Sequence, residues 1–448
     1  MKMHGCNALL IHKIVQSAER RIEKNKFCVP CRSEPPAQKI IKFNLKERGI
    51  IMQGLKKHWK WVVAIIAMQF ITMGTVGVAP ALAQIGAAFP DKSAEEIQLL
   101  MSIPSLGTVI ASLVAVPVAA RLGRRKSVIL GLVIFCVTGL MPCFVENWTL
   151  IILSRFGIGV GCGFVNPLNT AAIFSLFNEG EEVDTLLGWQ QIGNDIGYII
   201  MALACGYLTL LGWRYAFAVH AVGIISLILT IMFFPKDSEG HRTEAHKVEG
   251  KTHLTGAAIF WLLFVLVFEG TLHTFSMNIS YLVAESGAGD SVLTGYASTL
   301  MTVGGAIIGL FFGKFSKALG RLTLGIGVCI DVLAFACLQF MSEAAPFFAL
   351  AGGFLVGFGM VIVFSTTTAL SMTSVNAATQ NLVSSLFIIC INAGQFLNPY
   401  WGSFLGSLMG GDGAARPKVL GSMIVLAICA VVAFVAAGRV GGKKAVAE

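Results

Sequence analysis

The sequence predicts an all-α polytopic membrane protein, with twelve transmembrane helices arranged as two pseudo-symmetric six-helix bundles. Three observations predict it. The 448 residues are 55% hydrophobic and only 13% charged, about half the charge of a soluble domain, and the mean hydropathy is +0.76. Continuous apolar runs recur along the chain, with none of the short alternating segments of a β-barrel. Similar local patterns return at an offset of 197 residues, the distance from Gly197 to Gly394.

The elements follow from the N-terminus. Residues 1–51 are polar and charged, unlike the rest. They are expected to form a disordered cytoplasmic extension, consistent with translation from an upstream start, because Met52 opens a short basic lead into the first apolar run. Cys28 and Cys31 have redox-motif spacing, but no strand–helix context accompanies them. Each apolar run of about 20 residues can cross the hydrocarbon layer. The runs lie at 61–83, 96–119, 127–146, 149–174, 184–210 and 215–235, then at 255–280, 291–313, 322–341, 346–370, 380–405 and 418–438. Pro104 interrupts the second run, which membrane helices tolerate. The segment 236–253 (KDSEGHRTEAHKVEGKTH) separates six runs from six. It reads as a cytoplasmic linker between bundles at 52–235 and 254–440, with a short tail at 441–448. Its His241, His246 and His253 match no compact ligand set, so no metal site and no cofactor are expected.

Charge placement sets the orientation. With the N-terminus inside, the inner segments after residue 51 carry seventeen Lys and Arg and the outer loops four, namely Lys92, Arg214, Arg416 and Lys418. Cytoplasmic loops carry that excess, so both termini are expected on the cytoplasmic side of the cell membrane. The net charge of +9 therefore answers to membrane topology and calls for no nucleic-acid partner. Eight of the eleven cysteines lie in apolar runs and read as small buried hydrophobes, with no disulfide framework.

The loop after the second run reads AARLGRRK (119–126) and the loop after the eighth reads GKFSKALGR (313–321). Aligned on Gly123–Arg124 and Gly320–Arg321 they give the 197-residue offset, the mark of a transporter built by internal repetition. Arg121, Gly123, Arg124 and Arg125, the second copy with Gly320 and Arg321, and Ser154-Arg155-Phe-Gly-Ile-Gly159 in the fourth run together resemble the major facilitator superfamily over roughly residues 55–440. The chain departs from the family loop at Val116 and Ala120, where a glycine and an aspartate are usual. Either an acid from 179–184 replaces that aspartate or the state it would latch is held less tightly. The fifth run lacks the Gly-Pro pair of the family's antiporters. The resemblance implies a functional monomer, with the loop residues Arg121, Gly123, Arg124, Arg125, Gly320 and Arg321 as a cytoplasmic gate.

Ionisable groups at membrane depth are costly and mark function by default. Arg155, Asp195 and the i, i+4 pair Glu269 and His273 are candidates for proton coupling or substrate contact. A carboxylate and an imidazole on one helical face can exchange a proton near neutral pH. Amides and hydroxyls in the runs are candidates for lining the substrate cavity: Asn166 and Asn169, Gln191 and Asn194, Thr366, and the stripe Asn392, Gln395 and Asn398. For each of these, interhelical hydrogen bonding is the competing reading. Asp331 and His220 have no assigned role. The chain has no phosphate-binding loop and no hydrolytic motif, and no enzyme activity is expected. The expected function is a secondary transporter that moves a small molecule, using protons. A membrane-embedded ligand sensor without transport is the alternative.

Overall fold

The computed structural model describes residues 58–177, 181–236, 253–411 and 413–442. The expectations for residues 1–51, Cys28, Cys31, His241 and His246 lie outside them. The described residues are helical, with no strand among them. In chain order the helices are α1 (Trp59–Gln69), α2 (Leu82–Ala88), α3 (Ala94–Leu122), α4 (Arg124–Leu140), α5 (Trp148–Leu176), α6 (Glu181–Thr209), α7 (Val222–Phe233), α8 (Gly256–Leu272), α9 (Thr274–Glu285), α10 (Ser291–Leu319), α11 (Thr323–Gln339), α12 (Phe347–Thr373), α13 (Ala377–Leu408) and α14 (Ala415–Gly442). At ~1.5 Å per residue, a 29-residue helix such as α3 is about 44 Å long.

Eleven stretches of the described residues are long and apolar enough to cross a membrane. One of them, Ser291–Gln339, is 49 residues long and contains α10 and α11. Gly320 divides it at φ 52°. Gly123 divides α3 from α4 in the same way at φ 90°, and the two lie 197 residues apart. No atom would meet a Cβ on Gly320, so its backbone conformation, and not lack of space, is what calls for glycine.

The helix pairings repeat as the sequence offset predicts. In the first half α5 packs on α3 and α4, and in the second α12 packs on α10 and α11. The pairs α3–α13 and α6–α10 join the halves. Glycine brings the backbones together. A Cβ on Gly159 would lie 1.9 Å from the Pro104 carbonyl oxygen, and one on Gly357 would lie 1.6 Å from that of Met301. The repeat partners Gly197 and Gly394 also act alike. The first sets α6 against Phe70, and the second sets α13 against Gly270 and Leu266. Cys329 is exposed on α11, unlike the buried position its apolar context predicts.

Continuous apolar runs do not reveal that several spans are broken. Between α1 and α2 lie two 3₁₀ turns, Thr72–Thr75 and Ala79–Ala81, the second containing Pro80. A nine-residue 3₁₀ segment, Trp213–Ala221, leads into α7. His273 separates α8 from α9. Subtracting 197 from 271–274 gives 74–77, so the breaks before α2 and before α9 fall at equivalent places in the repeat.

Candidate functional site

A broken helix at membrane depth leaves carbonyl groups that water cannot reach, and neighbouring side chains must satisfy them. In the first half Arg155 does this. Its Nη2 donates to the Thr75 carbonyl of the break at 2.5 Å, and its Nε donates at 2.7 Å to the Leu100 carbonyl of α3, which Pro104 leaves without an intrahelical donor. Its Nη1 lies 3.1 Å from His220 Nε2, which is itself 3.1 Å from the Gly74 carbonyl. Both side chains are fully buried. The structure therefore places Arg155 against the broken first span, with backbone carbonyls and His220 as its partners and no carboxylate among them. Asn166 and Asn169 serve the same span. Asn166 accepts from Thr72 at 2.9 Å and Asn169 donates to the Ile65 carbonyl at 3.0 Å.

In the second half Asn398 takes the corresponding place. Its Nδ2 donates to the Gly270 carbonyl at 2.6 Å and to the Thr274 hydroxyl at 2.9 Å. Trp401 Nε1 donates to Thr271 at 3.0 Å. The break at His273 is thus held from α13. It lies at mid-helix depth, beside Glu269.

Here a chain of polar groups crosses from one half to the other. Ser105 on α3 donates to Gln395 Oε1 on α13 at 2.9 Å, and Gln395 Nε2 donates to Glu269 Oε1 on α8 at 2.8 Å. The same carboxylate oxygen lies 3.8 Å from His273 Nδ1. Glu269 and His273 are buried, at 4% and 8% exposure, and His273 Nε2 has no hydrogen-bond partner. The i, i+4 pair and Gln395, all read as candidates from sequence, are therefore brought together. Ser105 was not among those candidates. A serine in an apolar run looks like a packing residue, and only its partner across the interface marks it.

The other candidates lie elsewhere. Asp195 accepts from Gln191 at 2.9 Å on its own helix. It sits seven residues before Ala202 and eleven before Gly206, a stripe on which those two residues meet Gly295 and Ser291 of α10. Asp195 thus lies on the side of α6 that faces the second half. Asn194 is buried, with Oδ1 unpartnered. Thr366 and Asn392 each donate to a carbonyl of their own helix, Ile362 at 2.7 Å and Ile388 at 2.9 Å. Asp331 is fully buried on α11 against Gly359 of α12, and neither carboxylate oxygen has a hydrogen-bond partner.

The two ends of the molecule differ. At the end carrying Glu95 the halves are clasped. Lys418 Nζ lies 3.3 Å from Glu95 Oε1, which also accepts from Ser403. Gln98 Nε2 donates to Asn278 at 2.9 Å. The Ala83 amide donates to Ser280 Oγ at 3.1 Å, and these two residues are 197 apart. Repeat-equivalent residues that touch must lie on the pseudo-two-fold axis. At the end carrying Arg124, contacts among the described residues include several within a half. Arg124 donates to Ser175, Arg125 donates to the Ile231 carbonyl at 2.6 Å, and Thr255 donates to that of Ser374 at 3.0 Å. Arg121 and Arg321 are exposed there. The side chains of Glu181, Glu182 and Asp184, offered by sequence as an acid for this loop, lie outside the described residues. Neither Glu95 nor Lys418 was a sequence candidate, because charges near span ends look like solvated loop residues.

The Major Facilitator Superfamily model matches residues 61–399. The chain belongs to this superfamily. The relatives it matches are transporters. It is 24% identical over 204 residues to the 4-hydroxybenzoate transporter PcaK of Acinetobacter baylyi, an alignment covering 44% of this chain and 43% of that one. It is 23% identical over 248 residues to the drug efflux pump JefA of Mycobacterium tuberculosis, covering 55% and 44%. The chain thus spans less than half the length of these relatives. Among solved structures, the nucleoside transporter NupG superimposes with a TM-score of 0.69 at 14% identity, covering 84% of this chain and 98% of that one. The chain's helices, long and apolar enough to cross a membrane, fit that superfamily's multi-pass fold.

Proposed function

We propose that this superfamily member is a secondary active transporter that moves a small organic molecule across the cytoplasmic membrane by alternating access, coupled to protons. The observation that carries the reading is the polar chain Ser105–Gln395–Glu269 beside His273. It joins the two halves at mid-helix depth, at the break in the seventh span. Relative movement of the halves must make or break the Ser105–Gln395 bond. Proton gain or loss at Glu269 changes whether its oxygen is a good acceptor for Gln395. The protonation state and the arrangement of the halves are thereby linked through one amide. Dividing Ser291–Gln339 at Gly320 into two spans gives twelve spans in all. The Lys and Arg bias puts the Arg124 end in the cytoplasm, so the clasped Glu95 end faces outward. Both termini are then cytoplasmic and the chain works as a monomer.

The test is exchange of a pooled set of radiolabelled compounds in proteoliposomes carrying a lumenal pH dye. The expected result is compound-dependent proton movement that disappears in Glu269→Gln while exchange of the compound persists. Wild-type pH dependence in that variant would remove the coupling assignment. No exchange of any compound would remove the transporter reading itself.

A further inference from the structure

We propose that the gap between the halves takes an uncharged, hydroxyl-rich small molecule of the polyol or sugar class and rejects carboxylates, an inference that rests on the transporter reading above. Charge is the first argument. Among the described residues, Arg155 is the one Lys or Arg placed deep within the spans, and its guanidinium is spent on two backbone carbonyls and His220. Lys418 is buried at the Glu95 end and paired with Glu95. An imidazolium at His273 would already face the Glu269 carboxylate. A carboxylate substrate entering this gap would lose its water and meet Glu269 with no cation to offset it, which is a costly burial.

The second argument is the set of hydrogen-bonding atoms that have no partner. Gln98 Oε1, Ser102 Oγ, His273 Nε2 and Asn398 Oδ1 are all unpartnered, and each side chain is more than nine-tenths buried. Gln98, Ser102 and Ser105 follow one another at helical spacing on α3. Gln98 and Ser105 reach Asn278 and Gln395 of the other half, so Ser102 sits between two bridges. His273 lies between Asn278 and Glu269 along its span, and Asn398 is one turn beyond Gln395. The four atoms therefore belong to one stretch of the interface, closed over in this form and uncovered when the Glu95 end opens. Two of them are carbonyl oxygens that only accept, one is a hydroxyl, and one is an imidazole nitrogen. A hydroxyl group donates and accepts, so a polyol can serve all four. A carboxylate only accepts and leaves both carbonyls unmet. An organic cation would find Glu269 already bonded to Gln395 and Asp195 already bonded to Gln191, among a majority of neutral dipoles.

The experiment is counterflow in proteoliposomes with three radiolabelled probe sets: mannitol, inositol, ribose and glucose; 4-hydroxybenzoate and galactonate; and tetraphenylphosphonium. The expected result is exchange of at least one neutral probe. Loss of one buried hydrogen bond to it should slow that exchange about tenfold in Asn398→Leu and in the milder Ser102→Ala. Thermal unfolding in detergent confirms that each variant is folded, and Ser102→Ala keeps the test valid if Asn398→Leu is not. Exchange of the carboxylates or the cation with all neutral probes inert would overturn the substrate class and leave the transporter standing. Exchange of no probe would overturn both.

Discussion

The Glu95–Lys418 pair gives a quantitative prediction about which way the molecule faces. Lys418 is 1% exposed and Glu95 29% exposed, with their charged atoms 3.3 Å apart on opposite halves. Glu95→Gln keeps the shape and removes the charge, leaving an ammonium group buried without its partner in the clasped form alone. Once the halves part, Lys418 hydrates and the loss no longer matters. Removing one partner of a fully buried pair costs 3–5 kcal/mol, and the partial exposure of Glu95 brings this to about 2 kcal/mol. The clasped form should therefore lose about 30-fold in population relative to the open one. Spin labels at Phe144→Cys and Phe347→Cys, on exposed positions of the two halves at this end, report the separation by pulsed electron resonance in a background lacking the other cysteines. The expected result is a new long-distance population in Glu95→Gln, and its reversal when Glu95→Lys is combined with Lys418→Glu. An unchanged distance distribution would refute the claim that this pair latches the Glu95 end.

Three further outcomes follow from the same geometry. Gly357→Ala and Gly159→Ala place a methyl group inside the contact distance of a facing backbone oxygen, so each should lower the unfolding temperature in detergent sharply, while Gly309→Ala, with open space around it, should not. Gly320→Ala meets no atom but forces a side chain into the left-handed region at φ 52°, for a cost of about 1 kcal/mol seen in the same melt. Arg155→Lys keeps a charge but cannot reach the Leu100 and Thr75 carbonyls and His220 together, so it should destabilise by about 2–4 kcal/mol without altering the pH dependence of transport; a shifted pH profile at unchanged stability would instead make Arg155 a coupling residue.

Much of the architecture was legible because hydropathy records what a bilayer demands of a helix. Boundaries moved by a few residues, and the offset read from Gly123 and Gly320 reappears in their backbone conformations and in the touching pair Ala83 and Ser280. The helix breaks were not legible. Proline does not decide them, since Pro104, Pro117, Pro167 and Pro399 lie inside continuous helices. At the breaks before α2 and before α9 a donor from another span takes a freed carbonyl. Arg155, His220 and Asn398 come from distant sequence positions. The same limit explains the site. Glu269 and His273 share a helical face and could be paired by spacing. Ser105, Glu95 and Lys418 owe their roles to partners 290 to 323 residues away, which spacing within one helix cannot reveal.

The repetition is therefore unequal in a way that bears on mechanism. Both halves break their first span at equivalent positions, and both must satisfy the freed carbonyls from within the same half. The first half does so with Arg155 and His220, both fully buried and bonded to partners in that half. The second does so with Asn398, one turn from Gln395 and on the helix that also reaches Ser105 and Glu95. The first half's break is locked by a buried cation whose three nitrogens each have a partner. The second half's break is held by a neutral amide that retains an unused oxygen and borders the only acid–imidazole pair among the described residues. Under the proposed proton-coupled transport, a span that responds to protons and substrate needs the second kind of support. On this argument Thr271–Thr274, and not the corresponding stretch of the first span, is the element whose rearrangement accompanies transport.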